Sequence, residues 1–324
     1  MATLIEASAH ETLLDRRRRL RHVANSVGAA PDLARLITEV DAALERVDHG
    51  THGLCVVCDE SMVSELERHP MGRYCLCDLS ERQTRALEND LETAWSIQAG
   101  LLPPQDVSAG GWTSHFRYFP DGPVSGDVVD LVTGTDDSLY FLLGDVAGKG
   151  VSAALLMAHL GAHFRRLAEE QLPIADIARQ LSDKLAERTG PARYVTLATG
   201  VAWPDGRVHL ANAGHLPPLL TRRGAVERLD ATGIPAGLFQ GSDYGVHERT
   251  LTAGESIVLY TDGLVESTDP EGDEYGIARL SCELESWADQ TPDALASTAL
   301  SSAAAFREGA PAGDDQTLLV LQRR

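Results

Sequence analysis

Nothing in this 324-residue sequence approaches the ~18 consecutive apolar residues that a membrane-spanning helix needs. No secretory leader is expected either. In MATLIEASAHETLLDRRRRLRH the basic cluster follows a weak apolar stretch, the reverse of the order such leaders use. The expected location is the cytoplasm, with no membrane partner. There is no internal repeat and no low-complexity tract. Lysine is absent from the first 104 residues, where 11 Arg stand against 17 Asp and Glu. Basic residues are scarce overall, 28 against 48 acidic ones, for a formal charge of −20. So acidic a surface repels phosphate backbones, which argues against general nucleic-acid binding. Most of these acids serve solubility. A few sit in apolar or glycine-rich settings where solubility is no explanation.

What is present is globular: 43% of residues are hydrophobic and 23% charged. At roughly 150 residues per domain the length suggests about two domains. A first helix is expected over 5–27, with a basic stripe of Arg16, Arg17, Arg18, Arg19 and Arg21. Pro31 opens a second, with Leu33, Leu36, Ile37, Val40, Leu44 and Val47 at helical spacing, and the run 49–53 ends it. A third runs from Ser80 to Leu102, with Leu87, Leu91, Trp95, Ile97 and Leu101 on one side, until Pro103 and Pro104 stop it. Such a helix either pairs two chains, giving a homodimer, or packs on its own domain. These signals divide the chain into a module over 1–83, a linker helix over 84–104 and a larger domain over 105–324.

From Trp112 the texture changes. Strands are expected at 113–119, 138–145, 194–203, 207–213, 216–221 and 256–261, and helices at 151–170, 173–189 and 291–307. WPDGRVHLANAGH predicts a hairpin turning at Pro204-Asp205-Gly206. The order predicts an α+β domain with antiparallel sheets.

Four segments share one layout, an Asp at or just beyond a strand end. They are SGD at Asp127 with Asp130 nearby, GDV at Asp145, TDG at Asp262, and GDD at Asp314 and Asp315. Carboxylates gathered at one sheet edge repel one another unless a cation neutralises them. Hard divalent cations take oxygen ligands, so Mg²⁺ or Mn²⁺ fits an all-carboxylate site, and two such ions can activate a water for attack on phosphorus. The alternative for each Asp taken singly is a turn residue bonding its own backbone. GDVAGKG is not a nucleotide-binding loop: three residues, not four, separate Gly144 from Gly148, and Gly150 follows Lys149 in place of Ser or Thr.

In this order, QAGLLPP, YFPDGPVSGDVVD, YFLLGDVAGKGVSAALLMA, TLATGVAWPDGRVHLANAGHLPPLL, GIPAGLF, IVLYTDGLVES, EYG and GDDQTLLVL resemble the PPM-type (PP2C-like) serine/threonine phosphatases of the SpoIIE/RsbU group, over about 95–324. The resemblance implies an α/β/β/α sandwich of two antiparallel sheets with two Mn²⁺ or Mg²⁺ ions between them. Asp145 would bridge both ions and the Val146 carbonyl would bind one. Asp262 and Asp314 would hold the other, and Asp127 would coordinate directly or through water. Asp315 would stand in or beside the ligand set. The reaction implied is hydrolysis of phosphoserine or phosphothreonine by metal-bound hydroxide. The implied partner is a phosphorylated regulatory protein, for example an anti-sigma-factor antagonist. The alternative class is an interaction protein or metal sensor on a weakly active fold; the intact set Asp127, Asp145, Asp262 and Asp314 favours the enzyme. The chain departs from the family at Val128-Val129 and Ser125, and no phosphate-binding arginine is evident near the first acidic motif, although Arg117 is close. His215 in NAGHLPP is expected to anchor the fold or the site edge.

Four of the five cysteines, Cys55, Cys58, Cys75 and Cys77, lie within 23 residues. In a cytosolic chain that points to metal before disulfide. Four thiolates can hold one tetrahedral Zn²⁺. ALERVDHGTHGLCVVCDESMVSELERHPMGRYCLC resembles the DksA/TraR-type zinc finger, departing from it in the single residue between Cys75 and Cys77. The fourth ligand is Cys77, Asp78, His52 or His69, and a reduced cluster or a redox pair are the other readings. The finger reads as a sensing or docking module. Cys282 is expected in the core of a helical segment.

Overall fold

A computed structural model describes residues 10, 12–21, 31–56, 61–62, 81–188, 193–222, 225–287, 290–310 and 312–324. The chain divides into two compact units, Met1–Glu88 and Asn89–Arg324. No described helix is long and apolar enough to cross a membrane.

In the first unit a helical stretch over 12–21 meets helix α1, Pro31–Asp48. Proline suits the first helical position because its fixed φ matches the helix and its missing N–H would go unused there. The apolar spacing read from the sequence gives Val40 and Leu44, which bury with Ala43 against Leu13. Cys55 is buried and forms a small cluster with Met62. Cys58, Cys75 and Cys77 lie outside the described residues, so the zinc finger does too.

Helix α2, Glu81–Leu101, ends as Pro103 and Pro104 predict. Leu87, Trp95, Ile97 and Leu101 on it are exposed, between 37% and 61%.

The second unit carries eleven strands among its described residues, in two antiparallel sheets. One has the order β1 (Asp106–Ala109), β2 (Trp112–Phe119), β11 (Gln316–Arg323), β10 (Ser256–Tyr260), β7 (Leu219–Arg222), β8 (Ala225–Arg228). The other runs β3 (Asp127–Thr133), β4 (Leu139–Val146), β5 (Val195–Ala202), β6 (Arg207–Ala213), β9 (His247–Thr250). Helices α3 (Val151–Glu169) and α4 (Ile174–Arg188) cover the second sheet, and α5 (Asp262–Val265), α6 (Gly276–Ser286) and α7 (Pro292–Phe306) the first. This is the expected α/β/β/α sandwich. The hairpin at 204–206 forms, with Gly206 donating its N–H to the Trp203 carbonyl at 2.9 Å. Helix α7 starts where Thr291 accepts the Ala294 N–H and Pro292 follows.

Successive strand residues face opposite ways, and here both faces are covered, so strands read as unbroken apolar runs. In β4, Leu139, Phe141 and Leu143 enter the layer between the sheets, while Tyr140 and Leu142 meet the helices. Val129 and Leu131 of β3, Ile257 and Leu259 of β10, and Leu319 and Leu321 of β11 share that inter-sheet layer. Odd numbers point inward on all four strands, and this decides where the acids go.

Three sequence expectations change. Asp127 begins a strand rather than ending one. Strand β3, the short strands β1, β8 and β9, and helix α5 were not expected. Cys282 on α6 is exposed, not a core residue.

Candidate active site

Continuing the odd-numbered parity to one end of the inter-sheet layer gives Asp127, Asp145, Thr261 and Thr317. Antiparallel pairing sets Asp127 opposite Asp145. The Asp127 carboxylate is buried, and its Oδ2 accepts hydrogen bonds from the hydroxyls of Thr261 at 2.9 Å and Thr317 at 2.5 Å. Its backbone N–H donates to Ser125 Oγ at 3.0 Å. Burial pushes its pKa well above the ordinary value; the Thr317 hydroxyl opposes this, and Asp145 and Asp315 add to it.

Asp262 opens α5 directly after β10. Asp314 stands two residues before β11. Gly263 must be glycine because a Cβ there would lie 2.2 Å from the Asp315 carbonyl oxygen, which lets the two acidic turns meet. Burial and then the charges of Asp262, Asp314 and Asp315 raise the Asp145 pKa to about 7, with Lys149 opposing. Burial and Asp314 likewise raise Asp262. The Asp314 carboxylate meets Lys149 Nζ at 3.0 Å.

Asp315 is used differently. One oxygen accepts the Asp121 N–H at 2.8 Å and the other the Gly126 N–H at 3.0 Å. It straps down the loop that delivers Asp127. The Val146 carbonyl lies beside Gly126, 3.2 Å from where a Cβ there would stand. Asp130, three residues from Asp127, faces the opposite way and pairs with Arg165 Nε at 2.6 Å. It is outside the acid group. Arg117 is engaged with Asp293 at 2.7 Å and with Ser297.

Four elements therefore bring carboxylates near enough to raise one another's pKa, a donor set that suits hard divalent cations. Among the described residues no three acidic, histidine or cysteine side chains close round one point. Lys149 is the cation that opposes the rise in Asp145 and Asp262.

Several supporting residues were invisible in the sequence. Thr261 and Thr317 look like any strand threonines. Gln98 of α2, buried, donates to the Ser125 carbonyl at 2.7 Å and accepts the Ser125 N–H at 3.0 Å. It clasps the peptide two residues ahead of Asp127, and only its place in QAGLLPP marked it.

His215 is an anchor. It is buried, its Nδ1 meets the Thr196 hydroxyl at 2.9 Å and its Nε2 the Tyr260 carbonyl at 3.1 Å. The carbonyl can only accept, so Nε2 carries the proton and Nδ1 accepts from Thr196. Burial lowers its pKa from 6.5 to about 4. Below pH 6.5 the unfolded chain then binds a proton that the fold refuses. Stability is lost as pH falls from 6.5 to about 4, by roughly 3 kcal/mol in full. Denaturant titrations at pH 7.5 and pH 5 should show this loss in the wild type and a smaller one in His215→Gln. Equal losses would mean that other groups carry it.

A two-sheet sandwich with acids at one end of the inter-sheet layer is the PP2C-type architecture. The structure titled as the SiaA-PP2C domain of Pseudomonas aeruginosa superposes with a TM-score of 0.65 at 20% identity, covering 74% of this chain and 98% of that one. The model of the SpoIIE family, described as stage II sporulation protein E, matches residues 135–324, and the chain belongs to that family. Asp127 lies just ahead of the matched span. Protein IcfG of Synechocystis is 29% identical over 220 residues, 59% of this chain and 35% of that protein. Phosphoserine phosphatase RsbU of Bacillus subtilis is 25% identical over 193 residues, 57% of this chain and 56% of that protein. The chain thus spans less than two thirds of the length of these relatives.

Proposed function

We propose that this chain is a divalent-cation-dependent protein serine/threonine phosphatase acting on a phosphorylated regulatory protein, such as an anti-sigma-factor antagonist. The observation that carries this reading is the arrival of Asp127, Asp145, Asp262 and Asp314, from both sheets, at one end of the inter-sheet layer. RsbU, whose name is that of a phosphoserine phosphatase, supports the reaction class. Asp127, Asp145, Asp262, Asp314 and the Val146 carbonyl would hold two Mn²⁺ or Mg²⁺ ions. Bound there, such ions supply a nucleophilic water at neutral pH and stabilise charge on the phosphate oxygens. The protein's own part is positional. The two threonines fix Asp127, Asp315 fixes the loop before it, and Gln98 fixes Ser125.

The test is hydrolysis of p-nitrophenyl phosphate with Mn²⁺, with Mg²⁺ and with chelator, wild type against Asp262→Asn. Metal-dependent turnover that the variant loses is the expected result. Turnover that ignores both chelator and the substitution would overturn the assignment.

The cysteine segment supports one structural Zn²⁺ on Cys55, Cys58, Cys75 and Cys77. Elemental analysis should find about one zinc per chain, as a four-thiolate site requires; a content near zero in freshly reduced protein would leave a plain thiol cluster. The exposed apolar side of α2 supports pairing of two chains, which light scattering should detect; a strict monomer would rule it out.

A further inference from the structure

Lys149 takes no part in the functional reading so far, and its setting is unusual. It lies between Gly148, at φ +110°, and Gly150, at φ +77°. Beyond both glycines there is open space where a Cβ would stand. The loop therefore presents the lysine at the mouth of the acid group without packing it in, and its side chain is 64% exposed. Its Nζ meets the Asp314 carboxylate at 3.0 Å and donates to the Gly313 carbonyl at 3.1 Å. It feels the charges of Asp314, Asp121 and Asp315, and it is the cation that acts on Asp145 and Asp262. Two arginines near these strands are committed elsewhere, Arg117 to Asp293 and Arg165 to Asp130.

We propose that Lys149 is the residue that binds the substrate's phosphate group, and that Asp314 holds it in reserve until divalent ions claim that carboxylate. This rests on the phosphatase reading above. Three physical points carry it. A phosphate dianion approaching unneutralised carboxylates is repelled, so the mouth must change sign before substrate enters. Asp314 Oδ1 pairs with the ammonium and also accepts the Asp315 N–H at 2.9 Å, so a divalent ion drawn to this carboxylate competes with the lysine for its charge. Once released, a compact ammonium on a flexible four-carbon stem makes a point-charge phosphate ligand, and two glycines leave its loop free to adjust. The substrate class is a phosphate monoester dianion presented on a protein surface. The same device disfavours phosphate binding before the ions are in place.

The test compares wild type, Lys149→Ala and Lys149→Arg. Circular dichroism and thermal melting should show all three folded, because the side chain is exposed. Calorimetric titration with Mn²⁺ alone should give at least ~3-fold tighter binding in Lys149→Ala, since the internal competitor is gone. In the presence of Mn²⁺, inhibition by inorganic phosphate should weaken about tenfold, KM for p-nitrophenyl phosphate should rise about as much, and kcat should change less. Lys149→Arg should restore most of the phosphate affinity. Unchanged Mn²⁺ affinity together with unchanged phosphate inhibition would overturn the proposal. So would a fall in kcat with KM untouched. If the wild type shows no metal-dependent turnover, the phosphatase reading fails. Calorimetry with Mn²⁺ and then with inorganic phosphate still judges Lys149, and phosphate binding unaltered in Lys149→Ala would sink its role.

Discussion

Asp145→Asn should abolish turnover, by about a thousandfold or more, while making the metal-free protein more stable at pH 8. The two effects share one cause. Asp145 is drawn into the inter-sheet layer by its strand parity, where burial and three neighbouring carboxylates raise its pKa from 3.8 to about 7. A carboxyl raised in the fold stabilises it below the unfolded value, and that contribution is lost as pH climbs through the folded value. The wild type should therefore lose stability between about pH 4 and pH 7, and the neutral amide should not. We expect a gap of roughly 2 kcal/mol at pH 8, about half of what the full shift implies, because the group is partly open to water. Added Mn²⁺ should reverse the order, stabilising the wild type and leaving the variant unmoved. Denaturant titrations at pH 4.5 and pH 8, with and without Mn²⁺, check this. A variant that keeps half the wild-type rate, or is less stable than wild type without metal at pH 8, would be the contrary result.

The second large effect is expected at Thr317, far from any ionisable role. Valine has the same shape and no hydroxyl. Thr317→Val leaves the buried Asp127 oxygen with Thr261 as its remaining donor. An under-satisfied buried acceptor costs about 1–3 kcal/mol, so the melting temperature should fall by several degrees. Thr317→Ser keeps the hydroxyl and should recover most of the loss. Turnover should fall with the valine, since Asp127 is no longer held from both sides. Equal melting temperatures for all three proteins would mean that the 2.5 Å contact holds nothing.

How much of this was legible beforehand depends on the residue. The acidic segments announced themselves by recurrence: one Asp beside Gly is an ordinary turn residue, whereas four with a shared layout are not. Their common direction did not. The central strands are apolar on both faces, so the alternation that would reveal inward parity is erased. Asp130 shows the cost: reading 127–133 as a strand places it on the face opposite Asp127, but DVVDLVT is flanked by turn residues and hides as a loop. The edge strands Ala225–Arg228 and His247–Thr250 are four residues each and half exposed, too short to show a period. Gln98 was hidden for another reason. A glutamine on a mostly exposed helix looks like a solvent contact until the fold brings Ser125 beneath it.

The strand nearest the C-terminus, Gln316–Arg323, lies inside its sheet, between Trp112–Phe119 and Ser256–Tyr260. During synthesis the first of these neighbours emerges some two hundred residues before its partner and waits with an open edge. Pairing over so long a separation is slow, and the waiting edge is prone to aggregation. The threonine that clamps Asp127 rides on that late strand. A growing or prematurely terminated chain can thus build most of its helices and still lack the acid group. Until that strand pairs, the arrangement on which the proposed activity rests is incomplete.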